Sequence, residues 1–206
     1  MHRETWYTTQ HDAHPQRTTR VNALDTLLAH NREFVDSRAY ESFKTDRFPD
    51  KGLAVLACMD ARLVELLPKA MGLRNGDAKI IKNAGALVTS AWGSVMRSLL
   101  VAVYSLRAEE IVVVAHHDCG MGSIDPQNIL AMAHERGISH DTINTLRYAG
   151  INLEAWLKGF DNVEDSVRNT VQTIRNHPLL PKDVPVHGLI IHPDTGRLEV
   201  VVNGYA

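Results

Sequence analysis

The spacing of hydrophobic positions changes repeatedly along the chain, and each change marks an element. From Val21 to Phe43 the apolar residues Val21, Leu24, Leu27, Leu28, Phe34, Val35 and Phe43 recur at helical intervals, which predicts one or two helices. "KTDRFPDKG" breaks this pattern with Pro49 and Gly52 and reads as a turn-rich linker. "LAVLA" (53–57) is then short and apolar throughout, and "ARLVELLPKAMGL" behind it has helical spacing. "AKIIK" (78–82) reads as a second strand, followed by "NAGALVTSAWGSVMRSLLVAVYSL" with Leu87, Val95, Leu99, Val103 and Leu106 at helical spacing. "EIVVVA" (110–115) is the plainest buried strand, because three consecutive valines leave it no polar face. This alternation predicts an α/β fold with a central, mainly parallel sheet flanked by helices.

Further on, "SHDTINTLRYAG" and "NVEDSVRNTVQTIRNH" read as helices, the second marked by Val163, Val167, Val171 and Ile174 and stopped by Pro178 and Pro181. The closing "VPVHGLIIHPDTGRLEVVVNGY" has two β-rich runs around "PDTG" and predicts a C-terminal β-hairpin. The first 20 residues are polar, with His2, His11 and His14 and no apolar period. The expected organisation is a flexible N-terminal arm (1–20), an N-terminal helical segment (21–45) and one α/β domain (46–206).

Composition narrows the function classes. With 206 residues, 44% hydrophobic and 22% charged, the chain can bury a sizeable core without a covalent staple. A formal net charge of -2 gives no electrostatic reason to expect nucleic acid or an anionic membrane as partner, so a small-molecule substrate is expected. No stretch approaches the roughly 18 apolar residues of a membrane span, and the N-terminus lacks the apolar run of a secretory signal. A cytoplasmic protein is therefore expected. There, the two cysteines, Cys58 and Cys119, are better explained as free thiols or metal ligands than as a disulfide.

The cysteines are informative by position. Cys58 ends one predicted parallel strand, and "HHDC" (116–119) ends another, so both fall on the carboxyl edge where α/β sheets build their sites. Two thiolates and one imidazole, from Cys58, His116 and Cys119, favour Zn²⁺ over harder cations. Water or the Asp60 carboxylate would complete a tetrahedral ion. Asp60 and Arg62 alternate on the same segment, so Asp60 can pair with Arg62 or with the metal but hardly with both at full strength. Pairing with Arg62 would open a metal position to water. The alternatives are small buried cysteines, a structural zinc, or a reversible disulfide without the usual Cys-x-x-Cys spacing. Asp118 reads either as an acceptor for a ligating imidazole or as a solvated carboxylate, and His177, His187 and His192 as surface or satisfied core residues. In "KNAGALV" (82–88), Gly85 permits a tight turn whose N–H groups could hold an anion or the neighbouring loop.

"CMDAR" (58–62) followed by "HHDCG" (116–120), with "KNAGALV" between them, resembles the β-class carbonic anhydrases, whose signature is Cys-x-Asp-x-Arg and later His-x-x-Cys. The likeness extends over roughly residues 21–205, and "GLIIHPDTGRLEVV" is similar to the final strands of that family. It implies Cys58, His116 and Cys119 as zinc ligands and Asp60 and Arg62 as the dyad that gates the fourth position. In the resting form of some members, the residue matching Asp60 binds zinc itself. The implied activity is reversible hydration of CO2 to bicarbonate by zinc-bound hydroxide, and the implied assembly is a homodimer or higher homo-oligomer built through N-terminal helices. Two positions depart from the family pattern. Pro49 stands where many members carry a substrate-binding glutamine, and Met59 where serine or alanine is common. "ACMDARL" also resembles a subgroup that includes carbonyl sulfide hydrolases. Hydrolysis of carbonyl sulfide or carbon disulfide on the same site, and a zinc- or bicarbonate-binding module without turnover, are the alternatives.

Overall fold

The computed structural model describes residues 22–206, and the expected arm, with Val21, lies outside them. The chain divides into a unit ending at Lys44 and a second unit, Thr45–Ala206. In the first, helix α1 (Ala23–Asp36) starts at Asn22, whose side chain accepts the Asp25 N–H at 2.8 Å. A 3-10 turn (Ala39–Phe43) follows. The Phe34 and Phe43 rings lie 6.1 Å apart, and no residue of α1 is buried.

The second unit is a sheet between two helical layers. Strand β1 (Leu53–Cys58) leads through α2 (Leu63–Ala70) to β2 (Ala78–Asn83), and α3 (Ser94–Leu106) leads to β3 (Glu110–His116). After α4 (Pro126–Glu135), α5 (His140–Tyr148), α6 (Leu153–Leu157) and α7 (Val163–Arg175) come β4 (Val186–Ile191) and β5 (Leu198–Val202). The sheet order is β2-β1-β3-β4-β5, with β4 and β5 antiparallel and all other neighbours parallel. The α/β class and the terminal hairpin thus agree with the hydrophobic pattern.

The valine run explains why β3 is central. Ile111, Val113 and Ala115 enter a core shared with Leu99 of α3 and Val167, Val171 and Ile174 of α7. Val112 and Val114 enter the opposite core, against Leu63 and Leu67 of α2. A strand apolar on both faces cannot lie at a solvated edge. α7 places Val167, Val171 and Ile174 on one face and is capped by Asn162, which accepts the Asp165 N–H at 3.0 Å.

Two stretches differ from the periodicity. The helix after β2 begins only at Ser94, because Asn83 closes the intervening loop through Nδ2 to the Leu87 carbonyl (2.6 Å) and by accepting the Leu87 N–H (3.0 Å). Gly85 takes φ +79 inside that loop. Helices α4 and α6 add to the two expected between β3 and β4; α4 buries no residue fully, and its short apolar face of Ile129, Leu130 and Ala133 is only half-covered.

Candidate metal centre

The chain leaves β1 toward β2 on one side of the sheet and reaches β3 on the other, so a crevice opens beyond the carboxyl ends of β1 and β3. Cys58 is the last residue of β1 and His116 the last of β3. Cys119 follows three residues later, at the head of a 3-10 turn (Gly120–Gly122). The three donor atoms lie within 4.8 Å of one another, and the Cys58 and Cys119 sulfurs are 3.8 Å apart as free thiols.

These residues fit a thiophilic cation. The His116 ring is buried, and its Nδ1–H donates to the His117 carbonyl at 2.8 Å, which fixes the tautomer. Nε2 is left buried without a hydrogen-bond partner. An orphaned imidazole nitrogen beside two sulfurs is a cost that a metal removes. Burial opposes ionisation of Cys58, but His116 in its protonated form, together with the N–H groups of Asp60 and Gly85, outweighs it and brings the thiol down to about 7. Burial, reinforced by the neighbouring Cys58, pushes Cys119 up to about 11, against the N–H of Met121. A cation is what would let both sulfurs ionise together.

Asp60 and Arg62 stand beside the cluster. Asp60 Oδ1 accepts from the Arg62 backbone N–H (2.9 Å) and from Nε (3.0 Å), while Oδ2 accepts from Nη2 at 2.9 Å. This pairing holds the Asp60 carboxyl down at about 2. The free edge of Oδ2 lies 3.7 Å from His116 Nε2. Arg62 also reaches Asp118, through Nη1 to the carboxylate (3.1 Å) and Nη2 to the carbonyl (3.0 Å). A cavity of about 330 Å³ opens over the cluster, walled by Met59, Ala84, Met121 and Ile124.

Residues 53–198 match the family described as "Carbonic anhydrase". The chain belongs to the β-carbonic anhydrase family. It is 57% identical to "Putative carbonic anhydrase YvdA" of Bacillus subtilis over 183 residues, 89% of this chain and 93% of that one. It is 35% identical over 159 residues to a carbon disulfide hydrolase of Acidithiobacillus thiooxidans, covering 72% of this chain and 76% of the relative. Among solved structures it is similar to a β-carbonic anhydrase of Trichomonas vaginalis, with a TM-score of 0.81 and 32% identity over 90% of this chain and all of that one.

In this member of the β-carbonic anhydrases, all five residues singled out by sequence, Cys58, Asp60, Arg62, His116 and Cys119, meet in one crevice. Asp118 is no acceptor for His116; it takes φ +53 and serves Arg62 instead. The Gly85 N–H of "KNAGALV" reaches the Cys58 sulfur, at the end of β1, at 3.4 Å. His177, His187 and His192 stay outside the cluster: His177 is buried with Nδ1 accepting the Leu179 N–H, and His187 Nδ1 accepts the Gly204 N–H. Met121 was not singled out by any motif, yet it walls the cavity. Its position two residues after Cys119 was the one available signal.

Proposed function

We propose that the chain is a zinc-dependent carbonic anhydrase that interconverts CO2 and bicarbonate. The observation carrying this reading is the convergence of the Cys58, His116 and Cys119 donor atoms beside an Asp60 carboxylate already engaged by Arg62. Zinc held by three such side chains supplies Lewis acidity, which makes water a usable nucleophile near neutral pH. The chain's own residues supply the rest. Arg62 donates to both Asp60 oxygens, which keeps the carboxylate ionised and would leave it less free to act as a metal ligand. Asp118 accepts from the same guanidinium and limits its rotation. The Gly85 N–H favours the thiolate form of Cys58. Met59, Ala84, Met121 and Ile124 form an apolar wall that suits a small unhydrated linear substrate.

That same wall, and the relative named carbon disulfide hydrolase, favour a second reading: carbonyl sulfide or carbon disulfide as substrate of the same site. Stopped-flow CO2 hydration run beside sulfide release from both compounds separates the two, on protein whose zinc content has been measured. One zinc per chain with CO2 hydration is expected. Sulfide release without CO2 hydration would transfer the activity to the second reading, and zinc binding without turnover would leave a binding module. A homo-oligomer is part of the proposal, supported by the exposed Leu24, Leu27 and Leu28 of α1, and light scattering measures it. So is a cytoplasmic location, which two free thiols suit.

A further inference from the structure

The loop between α6 and α7 approaches the metal cluster through Met121, although it contributes no residue to the Cys58, His116 and Cys119 group. A Cβ built on Gly159 would stand well inside van der Waals contact of the Met121 carbonyl oxygen. The obstacle is backbone and cannot swing aside, so glycine is required here for close approach. That approach lets the Phe160 N–H donate to the Met121 carbonyl at 3.3 Å. The Phe160 ring closes against the same turn, with its Cε2 3.3 Å from where a Cβ of Gly122 would lie. On the other side, the Met121 Cγ lies 3.1 Å from the Cβ position of Gly85, the residue whose N–H reaches Cys58.

Cys58 and His116 end strands and are fixed by the sheet ladder. Cys119 belongs to no strand. Its place depends on the 3-10 turn, closed by the Gly122 N–H on the Cys119 carbonyl (2.9 Å) and the Ser123 N–H on the Gly120 carbonyl (3.1 Å). Met121 is the middle of that turn. We propose that Gly159 and Phe160 are positioning residues that clamp the Met121 backbone and thereby hold Cys119 in place as the third metal ligand. This inference rests on the metal reading of the site.

The test uses the full chain loaded with zinc, and with Co²⁺ in parallel, in three variants: Gly159→Ala, Phe160→Ala and Ile174→Ala. Zinc release to a chelator is expected to be about 10- to 100-fold faster in the first two, the scale of losing a support behind a metal ligand. Their thiolate-to-cobalt absorption should also change. Ile174 is fully buried on the sheet-facing side of α7, in the core opposite the one that takes Cys58, so Ile174→Ala should lower the melting temperature yet leave release rate and cobalt spectrum as in the parent. If Gly159→Ala does not fold, Phe160→Ala decides. Parental release and spectrum in a folded Phe160→Ala protein would overturn the clamp. A parent chain with no thiolate-to-cobalt band would remove the metal reading, and the clamp with it.

Discussion

One guanidinium at Arg62 serves four acceptors: both oxygens of Asp60, the Asp118 carboxylate and the Asp118 carbonyl. Its planar fork is what allows this, and a lysine offers only a point charge. Arg62→Ala should therefore leave Cys58, His116 and Cys119 holding one zinc per chain while turnover falls about 10- to 100-fold, because Asp60 is released to compete for the fourth position. Arg62→Lys should recover little of the loss. Zinc stoichiometry with stopped-flow hydration checks both; unchanged turnover in Arg62→Ala would remove the gate. The pairing of Asp60 with Arg62 was legible from their alternate positions, although it is made through a turn, with Arg62 in the αR region and Asp60 Oδ1 accepting its backbone N–H. The reach to Asp118 was not, since 56 residues separate the partners and only the register of β1 beside β3 brings them together.

At the scale of elements, the sheet was legible where composition forced burial on both faces. β3 could be read as central from its valines alone. α3 was mistimed because Leu87 keeps helical phase with Val95 and Leu99 while its backbone is held extended by Asn83; a side chain competing for main-chain groups leaves no mark on hydrophobic period. α4 had a signal of a different kind, Asp125 capping and Pro126 opening the helix. The packing of α7 on β4 yields a prediction of its own. A Cβ at Gly188 would lie 2.5 Å from Cγ1 of Val167 and 3.1 Å from Cγ2 of Val171. Gly188→Ala should cost about 1 to 3 kcal/mol by forcing the helix away from the strand. Val167→Ala removes the obstructing methyl groups, so in the double variant the two losses should fall short of their sum by about 0.5 to 3 kcal/mol. Urea unfolding of the four proteins measures this, and simple additivity would show that the strand does not set the helix position.

For the whole molecule, the question is whether the metal centre builds the fold or is built by it. The two cores lie on opposite faces of the sheet and draw on α3 and α7 on one side and α2 on the other. Of the cluster, Cys58 alone counts among the buried residues of either core, and it ends the strand instead of filling its middle. A chain of this size has apolar burial enough to fold without a cation, unlike small domains that are unfolded until metal binds. What the sheet delivers in the absence of metal is a set of donors held close at some cost: an unpartnered His116 Nε2 and two sulfurs 3.8 Å apart. Metal binding relieves that cost in the folded state only, so it should add stability by mass action, about 2.7 kcal/mol when free zinc stands at 100 times its dissociation constant. Chelator-stripped protein should keep its far-UV circular dichroism and one cooperative melt, with the midpoint rising as zinc is returned. Loss of cooperative unfolding on stripping would mean that the cluster, and not the paired cores, holds β1 beside β3.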